Sequence, residues 1–134
     1  MTTRRASCSC GQLGVTCSGD PLRISVCHCL ECQKRTGSAF GVQARWRRED
    51  VAVEGSSTAY RRVADSGNTL TSHFCAICGS TVYYLLTIDD AEFVGVPVGG
   101  FADPTFPPPQ FTVYEARQHP WARLPDSLDV ERYD

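Results

Sequence analysis

The chain has 134 residues, a 42% hydrophobic share and a formal net charge of −2. Those values fit one compact domain and exclude a strongly basic surface that would draw nucleic acid or an anionic membrane. No apolar run approaches the ~20 residues a spanning helix needs, and no apolar segment follows Arg4 and Arg5 to make a secretory leader, so a cytoplasmic protein is expected.

Taken in chain order, the pattern is one of short strands. The first lies at 12–17, bounded by Gly11 and by Gly19-Asp20-Pro21. A short helix is expected over 30–35. Strands follow at 40–46 and 51–54. A hairpin is expected from 59–63 and 69–74 around Asp65-Ser66-Gly67-Asn68, a turn-forming sequence. The β-branched and aromatic residues of 81–86 predict another strand, with further strands at 92–98 and 110–114. Asp89-Asp90 reads as a turn. The stretch 103–110 carries Pro107-Pro108-Pro109 and reads as an irregular connector. The expectation is a mostly β fold, a single small zinc-binding domain over 1–134, with several coiled antiparallel sheets and little helix.

Eight cysteines are present, and seven form three tight clusters: Cys8 with Cys10, then Cys27, Cys29 and Cys32, then Cys75 with Cys78. Gaps of one or two residues let thiolates turn onto one tetrahedral ion, with metal–sulfur distances of about 2.3 Å. In a reducing compartment such clusters read as metal ligands before disulfides. Cys75-x-x-Cys78-Gly79 has the form of a zinc knuckle, and Cys8-x-Cys10-Gly11 is its natural partner. Together they would close a four-thiolate structural site across most of the chain. Cys27, Cys29 and Cys32 would supply three corners of a second tetrahedron, and an open fourth corner is the arrangement of a catalytic zinc. Two alternatives stay open at this point. Cys17 or His28 could fill that corner, or both ions could be structural in a small non-catalytic interaction module. Cys17, in a predicted strand, reads as a buried free thiol.

The order Cys-x-Cys-Gly, then Cys-His-Cys-x-x-Cys, then Phe-Cys-x-x-Cys-Gly-Ser resembles the glutathione-dependent formaldehyde-activating enzymes, a family that also includes centromere protein V-like proteins. The resemblance extends from Ser7 to the Trp121-x-x-Leu124-Pro125 stretch. It implies a β-rich fold with two zinc ions: a structural one on Cys8, Cys10, Cys75 and Cys78, and a catalytic one on Cys27, Cys29 and Cys32. It further implies glutathione as substrate or ligand, a small aldehyde as its partner, and carbon–sulfur lyase chemistry that yields or breaks S-hydroxymethylglutathione. The chemistry is coherent by itself, because a metal deprotonates a coordinating thiol that is otherwise mostly protonated at neutral pH.

Around these clusters, Lys34 and Arg35 are expected to offset thiolate charge or bind an anionic part of glutathione. His28 is a candidate proton donor by proximity. His73 reads as a strand-surface residue and His119 as a loop residue. Arg45, Arg47 and Arg48 flank Trp46, which reads as a strand end with one buried indole and solvated charges; nucleic acid is an unlikely partner. Phe101, Phe106 and Phe111 read as packing residues. Gly95 to Gly100 lacks the Lys-Ser/Thr ending of a phosphate loop and reads as strand and turn.

Overall fold

A computed structural model describes all 134 residues. The order begins with β1 (Thr3–Ser7), β2 (Gly14–Ser18), β3 (Arg23–Cys27) and the helix α1 (Leu30–Thr36). It continues with β4 (Gly41–Arg47), β5 (Val51–Glu54), β6 (Thr58–Val63) and β7 (Thr69–Phe74). It closes with β8 (Thr81–Ile88), β9 (Ala91–Pro97), β10 (Phe111–Val113) and β11 (Glu131–Arg132), with four single-turn 3-10 helices in between. The fold is mostly β, as the sequence implies. No helix is long and apolar enough to cross a membrane.

Two compact units divide the chain. One takes Met1–Leu22 and Ala44–Phe106, the other Arg23–Gln43 and Pro107–Asp134. In the first unit β1, β2 and β5 form an antiparallel sheet, with Ala6 opposite Val15 and Cys17 opposite Val51. Its other ladder runs β9-β8-β7-β6, also antiparallel. The β8–β9 connection is Asp89-Asp90, both at positive φ (49° and 65°). Two left-handed residues make the tight turn whose twist matches the flanking strands. Gly95 is opposite Tyr84 and has no substitute, since a Cβ there would lie 2.0 Å from the Tyr84 ring.

The core of this unit gathers Leu13, Val15, Trp46, Val82, Val94 and Val96. The Trp46 indole is 1% exposed and donates to the Gly19 carbonyl at 3.0 Å. Phe101 packs on it with ring centres 5.8 Å apart, and Phe106 stacks on Phe101. Arg45 lies over Phe93, and Arg48 donates to the Val51 carbonyl. The indole is therefore core, with no face left for a base to stack on.

In the second unit β10 is parallel to both β3 and β11, with Phe111 beside Ser25 and Glu131. The sequence reading predicts antiparallel sheets, and most ladders are so; these parallel pairings are the exception. It also leaves β1, β3 and β11 without strand assignments. In β3 the signal was present, since Ile24 and Val26 alternate and are both buried. In β1, Thr-Arg-Arg-Ala-Ser carries almost no apolar pattern, and only Ala6 is buried. The tail is held by charge. Glu115, with its side chain 8% exposed, accepts from Arg132 Nη1 at 2.9 Å, and Arg132 Nη2 donates to the Leu124 carbonyl at 3.0 Å.

Candidate metal centres

Cys8, Cys10, Cys75 and Cys78 come together with their four sulfurs all within 4.8 Å of one another. Each pair sits on a tight loop after a strand, and the two loops share a design. In the first, Leu13 N donates to Cys8 Sγ at 3.3 Å, and Gly11, at φ 84°, turns the chain. In the second, Ile77 N donates to Cys75 Sγ at 3.4 Å, Gly79 N donates to the Cys75 carbonyl, and Gly79 takes φ 83°. A register shift between His73 and Phe74 in the β7–β8 ladder precedes the second loop. The loops are also tied directly, because the Ser9 hydroxyl lies 3.1 Å from that of Ser80.

The donor set fits a tetrahedral metal. Sulfur separations of 3.6 Å (Cys8–Cys10) and 3.7 Å (Cys10–Cys75) match the roughly 3.8 Å edge of a tetrahedron with 2.3 Å bonds. They are far longer than a disulfide's ~2.05 Å. The surroundings already favour thiolate at the second loop. The Gln12 side-chain amide donates to Cys75 Sγ at 3.0 Å and, with backbone N–H groups, lowers the Cys75 thiol below its ordinary value. Backbone donation from Ser80, with that from Cys10, brings Cys78 down to about 5. The Gln12 backbone N–H pulls Cys10 down too, but the crowding Cys8, Cys75 and Cys78 sulfurs outweigh it and push Cys10 up to about 11. Without a cation, four sulfurs cannot all ionise together.

Cys27, Cys29 and Cys32 form the second group, their sulfurs again within 4.8 Å. The local structure follows from a strand running into a helix. Cys27 ends β3. Cys29 caps α1, its extended backbone (φ −60°, ψ 152°) letting Sγ accept from Cys32 N at 3.3 Å. Cysteine here replaces the usual hydroxyl or carboxylate cap and meets the same unsatisfied amide. Gly37, at φ 65°, ends the helix and donates to the Gln33 carbonyl. Seven residues make a marginal helix alone, and the Cys29 cap places Cys32 over Cys27. The Cys29 and Cys32 sulfurs, then burial, raise the Cys27 thiol. Cys32 is raised as well: the Cys27 contact lowers it, but the Cys29 sulfur and burial prevail, with Arg35 acting against them. This crowding too asks for a cation. No fourth His, Cys, Asp or Glu joins the group.

Cys17 belongs to neither group. It is fully buried in β2, and burial pushes its thiol up to about 12. His28 is fully buried with its ring against Phe40, centres 5.7 Å apart, and neither ring nitrogen has a hydrogen-bond partner. Burial lowers its pKa. Lys34 is exposed and pairs with Glu31 at 3.6 Å. Arg35 lies closer to the cluster, with Nη2 shut from solvent. His73 bonds Ser57 and stacks on Tyr83, and His119 bonds Gln33.

The sequence reading misses two glutamines. Gln12 joins Cys75 to Ser56, donating to both and accepting from Ser56 N. Gln43 donates to Cys32 Sγ at 3.7 Å. Gln43 left one faint sign, a polar residue at an inward position of a strand. Gln12 left none.

The sequence pattern of the family described as glutathione-dependent formaldehyde-activating enzyme matches residues 3–117, a span that includes all seven clustered cysteines. Among solved structures, the crystal structure of a Rhodobacter sphaeroides protein is similar, at 21% identity and a TM-score of 0.55. The match covers 78% of this chain and 91% of that one. At that identity the likeness is one of fold.

Proposed function

We propose, from the premise that this chain belongs to the glutathione-dependent formaldehyde-activating enzyme family, that it joins a thiol to a small aldehyde. Glutathione and formaldehyde are the pair the family suggests, and the reverse cleavage makes the protein a carbon–sulfur lyase. In this reading each cysteine group holds one zinc ion. The Cys8, Cys10, Cys75 and Cys78 site is structural, and the Cys27, Cys29 and Cys32 site is catalytic.

The observation that carries the reading is the absence of a fourth protein donor beside Cys27, Cys29 and Cys32. Zinc on three thiolates would supply an open corner where an incoming thiol is kept deprotonated at neutral pH. The chain's own residues do the rest. Cys29 holds the start of α1 and so fixes Cys32 relative to Cys27. Arg35 supplies positive charge beside Cys32, which lowers the cost of gathering thiolates. Gln43 donates to the Cys32 sulfur and restrains it. The substrate thiolate adds to the aldehyde carbon, forming the C–S bond, and the carbonyl π pair moves to oxygen, which then takes a proton.

Two measurements test this. Elemental analysis of reduced protein should give two zinc ions per chain. Exchange NMR should show glutathione and formaldehyde interconverting with S-hydroxymethylglutathione faster than in buffer, and Cys29→Ser should abolish the gain. Two zinc ions with no acceleration for any aldehyde tried would favour a non-catalytic binding module instead.

A further inference from the structure

The strand β6 is the last of its ladder and leaves one edge open. All its residues but Arg62 are exposed, Tyr60 at 63% and Val63 at 66%. Ala64 N donates to the Asn68 carbonyl at 2.8 Å, and pairing continues in register from Val63 opposite Thr69 to Thr58 opposite Phe74. Backbone groups alternate along an antiparallel ladder. Those of Thr58, Tyr60 and Arg62 therefore point at β7, and those of Ala59, Arg61 and Val63 point outward. Sheet edges are commonly blunted by a proline, a bulge or a covering segment. β6 has no proline, its pairing with β7 is unshifted, and no strand lies beyond it. Its only charges are Arg61 and Arg62, and neither has an acidic partner within the chain.

We propose that β6 takes up an extended acidic segment of another protein as a further antiparallel strand, in the order apolar, acid, acid, apolar. The surface goes beyond the proposed reaction and does not depend on it. The edge itself dictates the order. Tyr60 and Arg62 project from one face of the strand, Arg61 and Val63 from the other. An antiparallel partner sets its first apolar residue opposite Val63, its two acids opposite Arg62 and Arg61, and its second apolar residue opposite Tyr60. Opposite charges and aromatic–aliphatic pairs across strands favour pairing, and like charges oppose it. The outward backbone groups supply affinity, and the side chains supply the choice of partner. A second copy of this chain does not fit. β6 carries no acid, so pairing it with itself leaves every arginine unmatched. The chain's one apolar-acid-acid-apolar run, Ile88-Asp89-Asp90-Ala91, is the β8–β9 turn, with both aspartates at positive φ. A nucleic acid would match the arginines but leave the outward backbone groups unpaired.

The test is fluorescence anisotropy with full-length protein and a fluorescein-labelled peptide, Thr-Val-Glu-Glu-Val-Thr. It should bind about tenfold tighter than the same peptide with Lys-Lys in place of Glu-Glu, since two attractive cross-strand pairs become repulsive. N-methylation separates strand pairing from charge alone. The second glutamate lies opposite Arg61 and directs its N–H at β6, so methylating that nitrogen should abolish binding. The first lies opposite Arg62 and directs its N–H away, so methylation there should leave binding intact. Arg61→Glu lies on an exposed position and should weaken binding about tenfold, and lysine at the second glutamate of the peptide should restore it. No binding at millimolar peptide would overturn the proposal. Equal affinity for the acidic and basic peptides would do the same, as would equal effects of the two N-methyl groups, which would reduce the contact to charge attraction. A dimer in sedimentation that the peptide dissociates would give the edge to a second copy instead. Single-stranded RNA that displaces the peptide at lower concentration than unlabelled peptide does would give it to nucleic acid.

Discussion

Cys75→Ser should damage the fold far more than Cys29→Ser. The substitution removes a buried sulfur that receives hydrogen bonds from Gln12 Nε2 and Ile77 N. That sulfur also lies 3.7 Å from Cys10 Sγ, 65 residues away in the chain. A metal shared across this gap acts as a cross-link, since its binding is coupled to folding. The chain-entropy relation for a cross-link over 65 residues gives a stabilisation of about 4 kcal/mol at 25 °C. Cys27 and Cys32 are five residues apart (32 − 27), and the same relation gives only about 2 kcal/mol for that span. A chain of this size shifts its Tm by about 3–5 °C per kcal/mol. Cys75→Ser should therefore lower Tm by about 10–20 °C, and Cys29→Ser by no more than about half as much. Calorimetry at one fixed free zinc concentration is the assay, because a bound metal makes Tm depend on its concentration. If Cys29→Ser melts at or below Cys75→Ser, the division into a fold-closing site and an open site is wrong.

Two further outcomes follow from local geometry. Gly55→Ala should cost well over 2 kcal/mol in urea unfolding, since φ is 90° and the added Cβ would lie 1.8 Å from the Gln12 carbonyl oxygen. Gly67→Ala, at φ 87° with open space around it, should cost only about 1–2 kcal/mol; equal costs would remove the clash from the account. Cys17 should resist alkylation in native protein at neutral pH, as mass spectrometry would show. Its thiol is raised by burial to about 12 from an ordinary value of 9.0, so the folded state holds its proton more tightly than the unfolded state. The stabilisation is complete below about pH 9 and declines as pH rises from there toward 12, at up to about 1.4 kcal/mol per pH unit. Cys17→Ala should lack that part of the decline, and identical pH profiles for the two proteins would contradict the burial argument.

Much of the fold was legible because its signals are local. The predicted strands at 51–54 and 69–74 coincide with β5 and β7, and the helix expected at 30–35 is α1, Leu30–Thr36. Alternation, β-branched residues and turn chemistry act within a few residues, so the sequence displays them directly. The strand β1 escaped because its stability comes from pairing with β2, Ala6 opposite Val15, and not from a pattern of its own. The parallel partners of β10 escaped for a stronger reason. Phe111 pairs with Ser25 and with Glu131, and nothing in a three-residue strand names neighbours so far along the chain.

The same line runs through the candidate metal centres. Cysteine spacing specified three local thiol clusters, since ligands one or two residues apart must share a loop and can share an ion, and the fold joined Cys8 and Cys10 to Cys75 and Cys78. Gly11 and Gly79 marked the left-handed turns that make this possible. The tertiary structure decided what the remaining residues do. It buried His28 against Phe40, paired Lys34 with Glu31 on the surface, and kept Cys17 out of both clusters. It also brought Gln12 to Cys75 across 63 residues and Gln43 to Cys32 across 11. A lone glutamine carries no periodicity and no ligand spacing. Its role exists only once distant backbone segments fix where its amide can reach, and that is settled by packing and hydrogen-bond closure over the whole chain.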